Sequence, residues 1–249
     1  MHCARWVVLV LTLVASAAST AGELTVSAAA SLTDAFREIG GAFHAAHPET
    51  QVRFNFGASG GLLQQVAAGA PVDVLATADQ ETMDRAAARG LLRPGTRADF
   101  ASNSLVVVVP RDSTTVPASL AELAAPAVRR IAIGVAASVP AGRYARAALE
   151  KAQLWQQVEA KAVGAQTVRQ ALDYVARGEV DAGFVYASDA KGQAERVHVA
   201  FVVPSATPVR YAVAVVAASA GAAEARQFIA FLRSPPAQAI LRRLGFAAP

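Results

Sequence analysis

Apolar residues along this chain follow two spacings in alternation. Leu32, Phe36, Ile39 and Phe43 recur every three or four residues, which indicates one face of a helix. Residues 52–56 alternate between apolar and polar, which indicates a half-buried strand. Similar patterns predict strands at 24–26, 52–56, 72–76, 105–109, 131–134, 182–186, 197–203 and 209–216, and helices at 32–46, 62–68, 80–89, 141–152, 168–177, 222–233 and 236–243, with a short helix after Ser119.

The alternation of strands and helices predicts an α/β fold with mainly parallel sheets flanked by helices. The elements are too numerous for one compact sheet, so we expect two lobes with a ligand in the cleft between them. The apolar strands at 104–110 and 209–216 are the candidates for the crossings between lobes. This predicts a first lobe made of 22–100 and 209–249 and a second lobe made of 101–208.

The first 21 residues have the three-part pattern of a secretory signal peptide. A short start containing Arg5 precedes an apolar run at 6–14, and small residues follow as far as Gly22. The apolar run is too short to anchor the chain across a bilayer. We therefore expect export to the periplasm, with cleavage after Ala21 or, alternatively, after Ala18.

Cysteine usage limits the chemistry of the exported chain. The one cysteine, Cys3, precedes the apolar run, whereas the lipid-modified cysteine of a bacterial lipoprotein follows such a run. Cleavage of the signal peptide removes Cys3. The exported chain then has no disulfide, no thiol nucleophile and no cysteine ligand for a metal.

Composition excludes several classes of protein. Of 249 residues, 54% are hydrophobic and 17% are charged, which is too apolar for a disordered chain. The formal net charge of +4 comes from arginines scattered along the chain, whereas a nucleic-acid-binding protein clusters its basic residues. No later apolar run reaches the roughly 20 residues that a membrane span requires.

The candidate chemistry lies where helices begin. Ser31 and Ser59 stand at two predicted helix starts, and Ala141 and Val168 lie in the first turns of two later helices. A helix start carries unpaired backbone N–H groups and a partial positive charge, so it binds an anion without lysine or arginine. Each start alone is also explained as an ordinary cap. The four together, two of them in loops of Gly, Ala and Pro, favour an anion site.

Three further residues bear on this hypothesis. Tyr186 ends a strand, where ligands of open α/β sheets bind, so its hydroxyl is a candidate donor; a half-buried tyrosine facing water is the alternative. Arg143 and Arg169 fall in first helical turns, where a cation opposes the helix dipole. A bound anion nearby would reverse that penalty, and an exposed arginine in solvent is the alternative.

A serine hydrolase is the competing enzyme hypothesis. Residues 57–61 read Gly-Ala-Ser-Gly-Gly, which matches the G-x-S-x-G pattern of a nucleophile elbow with Ser59 as the nucleophile. His198 would be the base, but it lies inside an apolar strand, and the chain has no His-Gly-Gly-Gly stretch for an oxyanion hole. The pattern therefore favours a binding protein over an enzyme.

Several short motifs, in order along nearly the whole exported chain, resemble those of the molybdate-binding proteins of bacterial ABC importers, which are type II periplasmic binding proteins. They are the segments at 28–33 (AAASLT), 68–73 (AGAPVD), 78–80 (ADQ), 103–108 (NSLVVV), 139–144 (VPAGRY), 168–172 (VRQAL), 185–190 (VYASDA) and 244–246 (LGF).

The resemblance implies a two-lobed protein that closes on one tetrahedral oxyanion. The family's ligand positions fall on the hydroxyls of Ser31, Ser59 and Tyr186 and on the backbone N–H groups of Ala141 and Val168. One departure is the loop around Ser59, where the family has more serines and this chain has Ala58, Gly60 and Gly61. Only backbone donors can serve from these neighbours.

The sequence therefore predicts a monomeric binding protein that captures molybdate or tungstate for an ABC permease in the inner membrane. It predicts no enzyme activity, no cofactor, no direct metal ligand and no nucleic-acid partner. Another tetrahedral oxyanion such as sulfate is the alternative ligand, and a hydrolase using Ser59 comes third.

Overall fold

The structure is a computed structural model that describes residues 22–204 and 208–249. The signal peptide predicted for 1–21 lies outside the described residues. The strands are β1 (Gly22–Ala29), β2 (Thr50–Gly57), β3 (Val74–Thr77), β4 (Ala98–Asn103), β5 (Leu105–Pro110), β6 (Ile131–Gly134), β7 (Ala162–Ala165), β8 (Ala182–Tyr186), β9 (Val197–Val202) and β10 (Val209–Val215).

Helices occupy most of the intervals between these strands, and two helices follow β10. They are α1 (Thr33–Ala46), α2 (Ser59–Ala67), α3 (Gln80–Ala88), α4 (Leu120–Leu123), α5 (Pro140–Lys151), α6 (Trp155–Glu159), α7 (Val168–Ala176), α8 (Ala187–Gly192), α9 (Ala222–Leu232) and α10 (Pro235–Arg243). A turn of 3-10 helix at Ala30–Leu32 leads into α1. Within the described residues, none of these helices has both the length and the apolar character of a membrane span.

The strands form two five-stranded sheets with equivalent topology. The order is β2-β1-β3-β10-β4 in the first sheet and β7-β6-β8-β5-β9 in the second. In each sheet the first three strands in this order are parallel, and only the fourth runs against its neighbours. The predicted α/β fold with two lobes and mainly parallel sheets is confirmed.

The reversed strands β5 and β10 are those that follow the passages between the two sheets. The chain leaves the first sheet after β4 and enters the second through β5, and it returns through β10. A lobe boundary at 100, as predicted from the sequence, falls inside β4, which is paired with β10 of the first sheet. The chain therefore changes sheets a few residues later, at Ser104.

The sequence prediction omitted β4, α6, β7 and α8. β7 contains only small residues and Val163, and it pairs in parallel with β6 at the edge of its sheet. α6 and α8 span only five and six residues, too few for a helical period to be recognised. These elements are held by their neighbours more than by their own sequence.

Aromatic packing covers one face of the first sheet. The ring of Phe228 in α9 lies 5.3 Å from Phe43 and 6.0 Å from Phe36 of α1, both in edge-on contact. Phe36 also lies 5.8 Å from Phe100 of β4. These fully buried rings pack α9 and α1 on the same sheet. The segment after β10 is therefore part of the first lobe's core.

A close contact between two glycines positions the start of α5. A Cβ atom built on Gly142 would lie 1.8 Å from the carbonyl oxygen of Gly134 at the end of β6. Only glycine allows this approach without movement of the backbone. The contact draws the first turn of α5, including Ala141, against the end of its sheet.

We predict that Gly142→Ala destabilises the protein by about 1–3 kcal/mol, because the added methyl group overlaps the backbone of Gly134. Gly41→Ala is the matched control, since Gly41 is also helical and a Cβ there would contact nothing within 4 Å. The control is expected to gain up to about 1 kcal/mol. Urea unfolding measures both changes, and equal effects of the two substitutions would contradict the contact.

Candidate functional site

One small cavity brings together the carboxyl ends of parallel strands from both lobes. The turns after β1, β2 and β3 face the turns after β6 and β7, and β8 ends at the same place. This is where ligands bind in open α/β sheets. The lining residues are Ala29, Ala30, Ser31, Gly57, Ala58, Ser59, Ala78, Val139, Pro140, Ala141, Val168 and Tyr186.

The structure places all the sequence-predicted contacts, Ser31, Ser59, Ala141, Val168 and Tyr186, on the wall of this cavity. Three of them come from the second lobe, and the two serines come from the first. The volume of the cavity is about 10 Å³, which is room for roughly one water molecule. The lobes are thus closed on each other. That these residues contact a ligand stays a prediction.

The two serines are buried and each already has one hydrogen-bond partner. The Oγ atom of Ser59 accepts a hydrogen bond of 3.1 Å from the backbone N–H of Ala78. The Oγ atom of Ser31 lies 3.0 Å from the hydroxyl of Tyr211 in β10. Both serines are almost inaccessible to solvent. Their side chains are therefore held in place before any ligand enters.

Backbone N–H groups at helix starts supply further donors. α2 begins after Ala58 and α5 after Val139, and neither start has a side-chain cap. The N–H groups of Ala141 and Val168 donate to no other atom of the part of the chain that the structure describes. Uncapped helix starts that line a cavity leave donors for a ligand.

The hydroxyl of Tyr186 is the clearest unmet donor in the cavity. Tyr186 is fully buried, and its Oη atom has no hydrogen-bond partner among the described residues. Burial, followed by the charges and phenols around it, raises the pKa of Tyr186 well above its ordinary value. The phenol therefore keeps its proton at neutral pH. A buried hydroxyl without a partner is costly, and a ligand that accepts hydrogen bonds removes that cost.

Charged side chains surround the cavity without lining it. Arg143 pairs with Asp79, the N-cap of α3 in the opposite lobe, through two of its guanidinium nitrogens. It also donates to the hydroxyl of Thr82 at 2.9 Å. The sequence offered a bound anion nearby or an exposed arginine in solvent for Arg143. The exposed arginine is wrong, because a buried carboxylate across the cleft pairs with it. A bound anion nearby stays a prediction.

Arg169 makes a second ion pair between the lobes. Its Nη2 atom donates to Asp34 of α1 at 2.7 Å, and its Nε atom lies 2.9 Å from Oδ1 of the buried Asp189. As with Arg143, the exposed arginine in solvent is wrong for Arg169, and a bound anion nearby stays a prediction. The carboxylates offset the cost of placing these cations in first helical turns.

A larger cavity of about 290 Å³ lies between α3 and α5, beside the Arg143–Asp79 pair. Its wall includes the carboxylates of Asp79 and Glu81 as well as Arg143 and Lys151. None of the five predicted contact residues is on this wall. The two carboxylates on this wall disfavour an anion, whereas the wall of the small cavity has no carboxylate, so the small donor-lined cavity is the better candidate for an anion site.

The geometry gives Ser59 no catalytic base. The wall of its cavity contains no histidine, aspartate or glutamate. His198 lies on β9, the edge strand of the second sheet, and its side chain is exposed. The Oγ atom of Ser59 accepts from a backbone N–H group instead of donating to an imidazole. Within the described residues, no cluster of metal-ligating side chains supplies an alternative chemistry.

Comparison with known proteins assigns the chain to a family. The model of the bacterial extracellular solute-binding protein family matches residues 24–247. The chain belongs to that family. Solute-binding proteins are transport components, so the two-lobed fold and the cleft cavity are those of a protein that captures a solute.

Three similar proteins are all binding proteins by name, and two of the three are named as molybdate-binding. The molybdate-binding protein ModA of Escherichia coli is 37% identical, over 90% of this chain and 89% of its own length. A putative ABC transporter substrate-binding lipoprotein, YvgL of Bacillus subtilis, is 34% identical, over 90% of this chain and 86% of its own length. The periplasmic molybdate-binding protein of Azotobacter vinelandii has a similar structure, with a TM-score of 0.80, 26% identity, and coverage of 91% of this chain and 99% of that one.

In a solute-binding protein the two lobes close around the ligand, and this structure shows what holds them closed. The Arg143–Asp79 and Arg169–Asp34 pairs join the lobes on separate helices. The backbone N–H of Gly60 donates to the carbonyl of Ser138 across the cleft at 2.9 Å. A Cβ on Gly60 would lie 2.8 Å from the backbone of Ser138, so a larger residue would obstruct this contact.

Sequence reasoning missed the partners that hold the site in place. Tyr211 lies in a strand whose apolar pattern predicts only core packing, yet its hydroxyl contacts Ser31. Asp34 lies in the first turn of α1, and its carboxylate contacts Arg169 of the opposite lobe. No local signal reveals these contacts, because the partners are 180 and 135 residues apart in the chain.

The ion pair at Asp189 predicts a pH-dependent stability. Complete burial raises the pKa of Asp189 to about 6, and attraction to Arg169 offsets only part of the cost of burial. Between this value and the ordinary 3.8, the folded protein holds a proton that the unfolded chain does not. The contribution of Asp189 to the free energy of unfolding therefore rises as the pH falls through that window.

We predict that ligand-free wild-type protein gains stability relative to Asp189→Asn as the pH falls from about 7 to about 4, by up to about 3 kcal/mol. The asparagine variant lacks the titrating group and so lacks this gain. Denaturant unfolding of both proteins across the pH range measures the difference. A difference that stays constant or falls with decreasing pH would contradict the raised pKa.

Proposed function

We propose that this protein captures molybdate in the periplasm and delivers it to an ABC permease in the inner membrane. The observation that carries the proposal is a buried cavity between two lobes whose polar wall is made of hydrogen-bond donors. The donors are the hydroxyls of Ser31, Ser59 and Tyr186 and the backbone N–H groups of Ala141 and Val168. The wall contains neither a carboxylate nor a cation.

This wall suits an anion that only accepts hydrogen bonds. Helix starts place partial positive charge at the cavity, and charge-assisted hydrogen bonds are about twice as strong as neutral ones. The neutral Tyr186 phenol completes the donor set. A fully ionised tetrahedral oxyanion has no proton that would require an acceptor. Molybdate, tungstate and sulfate share that property near neutral pH, whereas phosphate keeps at least one proton.

Size separates the remaining candidates. The S–O bonds of sulfate are shorter than Mo–O bonds, and donors fixed on helix starts of two lobes cannot all move inward. Hydrogen bonds to a smaller ion therefore lengthen and weaken. Molybdate and tungstate are nearly the same size, so we propose that both bind. Sulfate remains the alternative ligand, with the same donors at poorer distances.

The Escherichia coli relative is a molybdate-binding protein, and this supports the proposal because the match spans most of both chains at 37% identity. The remaining parts of the proposal rest on the sequence. The pattern of residues 1–21 supports export, and Cys3 precedes the apolar run, which argues against a lipid anchor. We propose a monomer that carries its ligand without covalent chemistry.

Isothermal titration with four anions at matched ionic strength tests the proposed ligand. We expect molybdate and tungstate to bind with similar affinity, sulfate to bind much more weakly, and phosphate to bind hardly at all. The physical reasons are the size of sulfate and the proton of phosphate, since a buried unmet donor costs about 1–3 kcal/mol. Equal affinity for sulfate and molybdate would sink the molybdate assignment and leave an oxyanion-binding protein.

Two single-hydroxyl variants test the proposed site. Tyr186→Phe and Ser59→Ala each remove one donor aimed at a charged ligand, which is worth about 1.5–3 kcal/mol. Molybdate affinity is expected to fall roughly 10- to 150-fold for each. Tyr174→Phe is the matched control, because Tyr174 lies in α7 outside the cavity wall, and its affinity is expected to equal that of wild type. Wild-type binding by both cavity variants would show that the ligand binds elsewhere.

A further inference from the structure

The hydrogen bond between Ser31 and Tyr211 can run in two directions. Either hydroxyl can be the donor across the 3.0 Å that separates Oγ of Ser31 from Oη of Tyr211. If Tyr211 donates, the proton of Ser31 is free to point into the cavity. If Ser31 donates, its oxygen can only accept from a ligand. The direction therefore decides which anions this serine can bind.

Asn103, at the end of β4, settles the direction. Its Oδ1 atom accepts from the backbone N–H of Ser104 at 2.9 Å, and a backbone N–H only donates, so the orientation of the amide is fixed. The Nδ2 atom of Asn103 consequently faces Oη of Tyr211 at 3.4 Å and Oγ of Ser188 at 2.8 Å. An amide NH₂ group only donates. The Tyr211 oxygen therefore accepts from Asn103.

The Tyr211 oxygen could accept from both Asn103 and Ser31, but its buried proton would then have no acceptor. Among the described residues, Ser31 Oγ is the hydrogen-bond partner of Tyr211 that can take this proton, so Tyr211 donates to Ser31. Burial raises the pKa of Tyr211 far above neutral pH, so this proton stays in place. The chain of hydrogen bonds runs from Asn103 to Tyr211 to Ser31. The Ser31 oxygen is then an acceptor toward Tyr211, and its own proton points to the cavity that it lines.

The second serine is constrained in the same sense by a different group. The Oγ atom of Ser59 accepts from the backbone N–H of Ala78, which cannot accept in return. The Ser59 proton is thereby also left for the cavity. Both serines face the ligand as donors. Each oxygen keeps a second lone pair, but a serine that used it to accept a proton from the ligand would turn its own proton away from the ligand and leave that proton unpaired.

We propose that Tyr211 and Asn103 are positioning residues that hold Ser31 as a donor and thereby make the site reject oxyanions that carry a proton. The inference rests on the proposed function, because it concerns the same cavity. Tyr211 and Asn103 do not line the cavity, so they set its selectivity from behind Ser31. Their contribution concerns the protonation state of the ligand and is separate from its size.

Tyr211→Phe tests this inference. The phenylalanine keeps the ring but removes the proton that Tyr211 directs at Ser31. The Ser31 hydroxyl can then turn its own proton into the vacated place beside the ring and accept a proton from the ligand. Arsenate, which keeps a proton near neutral pH and then has the same double charge as molybdate, is the probe. The ratio of molybdate to arsenate affinity, measured by calorimetry, is expected to fall about tenfold or more, because an unmet ligand proton gains an acceptor. An unchanged ratio would overturn the inference.

Asn103→Asp is the second variant, chosen because Asn103 is only partly buried and the change is nearly isosteric. A carboxylate accepts from Tyr211 and so reverses the chain of hydrogen bonds, which turns the Ser31 oxygen toward the cavity. The added charge weakens both double-charged anions alike and cancels from the ratio. The ratio is again expected to fall about tenfold or more, and a ratio equal to that of wild type would contradict the role of Asn103.

A double-mutant cycle separates positioning from a general loosening of the fold. In a Ser31→Ala background the serine proton is absent, so adding Tyr211→Phe is expected to leave the affinity ratio unchanged. A further fall in that background would show that Tyr211 acts by another route and would overturn the inference. Failure of wild-type protein to bind molybdate would instead overturn the proposed function, and this inference with it.

Discussion

The arrangement of both lobes centres on one buried cavity between them, whose wall offers hydrogen-bond donors and contains no charged side chain. Desolvating an ionised group costs many kcal/mol unless fixed dipoles replace the lost water. Ser31, Ser59 and Tyr186 and the starts of α5 and α7 are the dipoles that the cavity offers. They meet because both lobes have the same strand order and turn the carboxyl ends of their parallel strands toward each other. The close contact of Gly134 and Gly142 sets one of these helix starts against its sheet.

The cations near the cleft hold the lobes together. Arg143 and Arg169 begin helices of the second lobe, yet their partners include Asp79 and Asp34 of the first. Pairing with carboxylates keeps the positive charges off the cavity wall, so the wall offers a ligand directed hydrogen bonds and no charged side chain. Strong direct contact with arginine would bind any dianion, whether it carries a proton or not. A wall of dipoles, with the arginines paired to carboxylates outside it, therefore favours selectivity among dianions.

Local patterns in the sequence predicted the two-lobed α/β fold and pointed to five of the residues that line the cavity. Ser31, Ser59, Ala141 and Val168 are recognisable because each stands where a strand pattern gives way to a helical one. The contacts behind them were not predictable, since Tyr211 and Arg169 meet their partners only through the tertiary fold. Short elements such as β7 were missed because neighbouring strands, more than their own residues, hold them in place.

The most direct test of this account is a crystal structure of the protein with molybdate bound. The account predicts one anion enclosed between the lobes, with its oxygens within hydrogen-bond distance of the Ser31, Ser59 and Tyr186 hydroxyls and of the backbone N–H groups of Ala141 and Val168. Arg143 and Arg169 would remain paired with their carboxylates. An anion held directly by either arginine, or one bound outside the donor-lined cavity, would contradict the account.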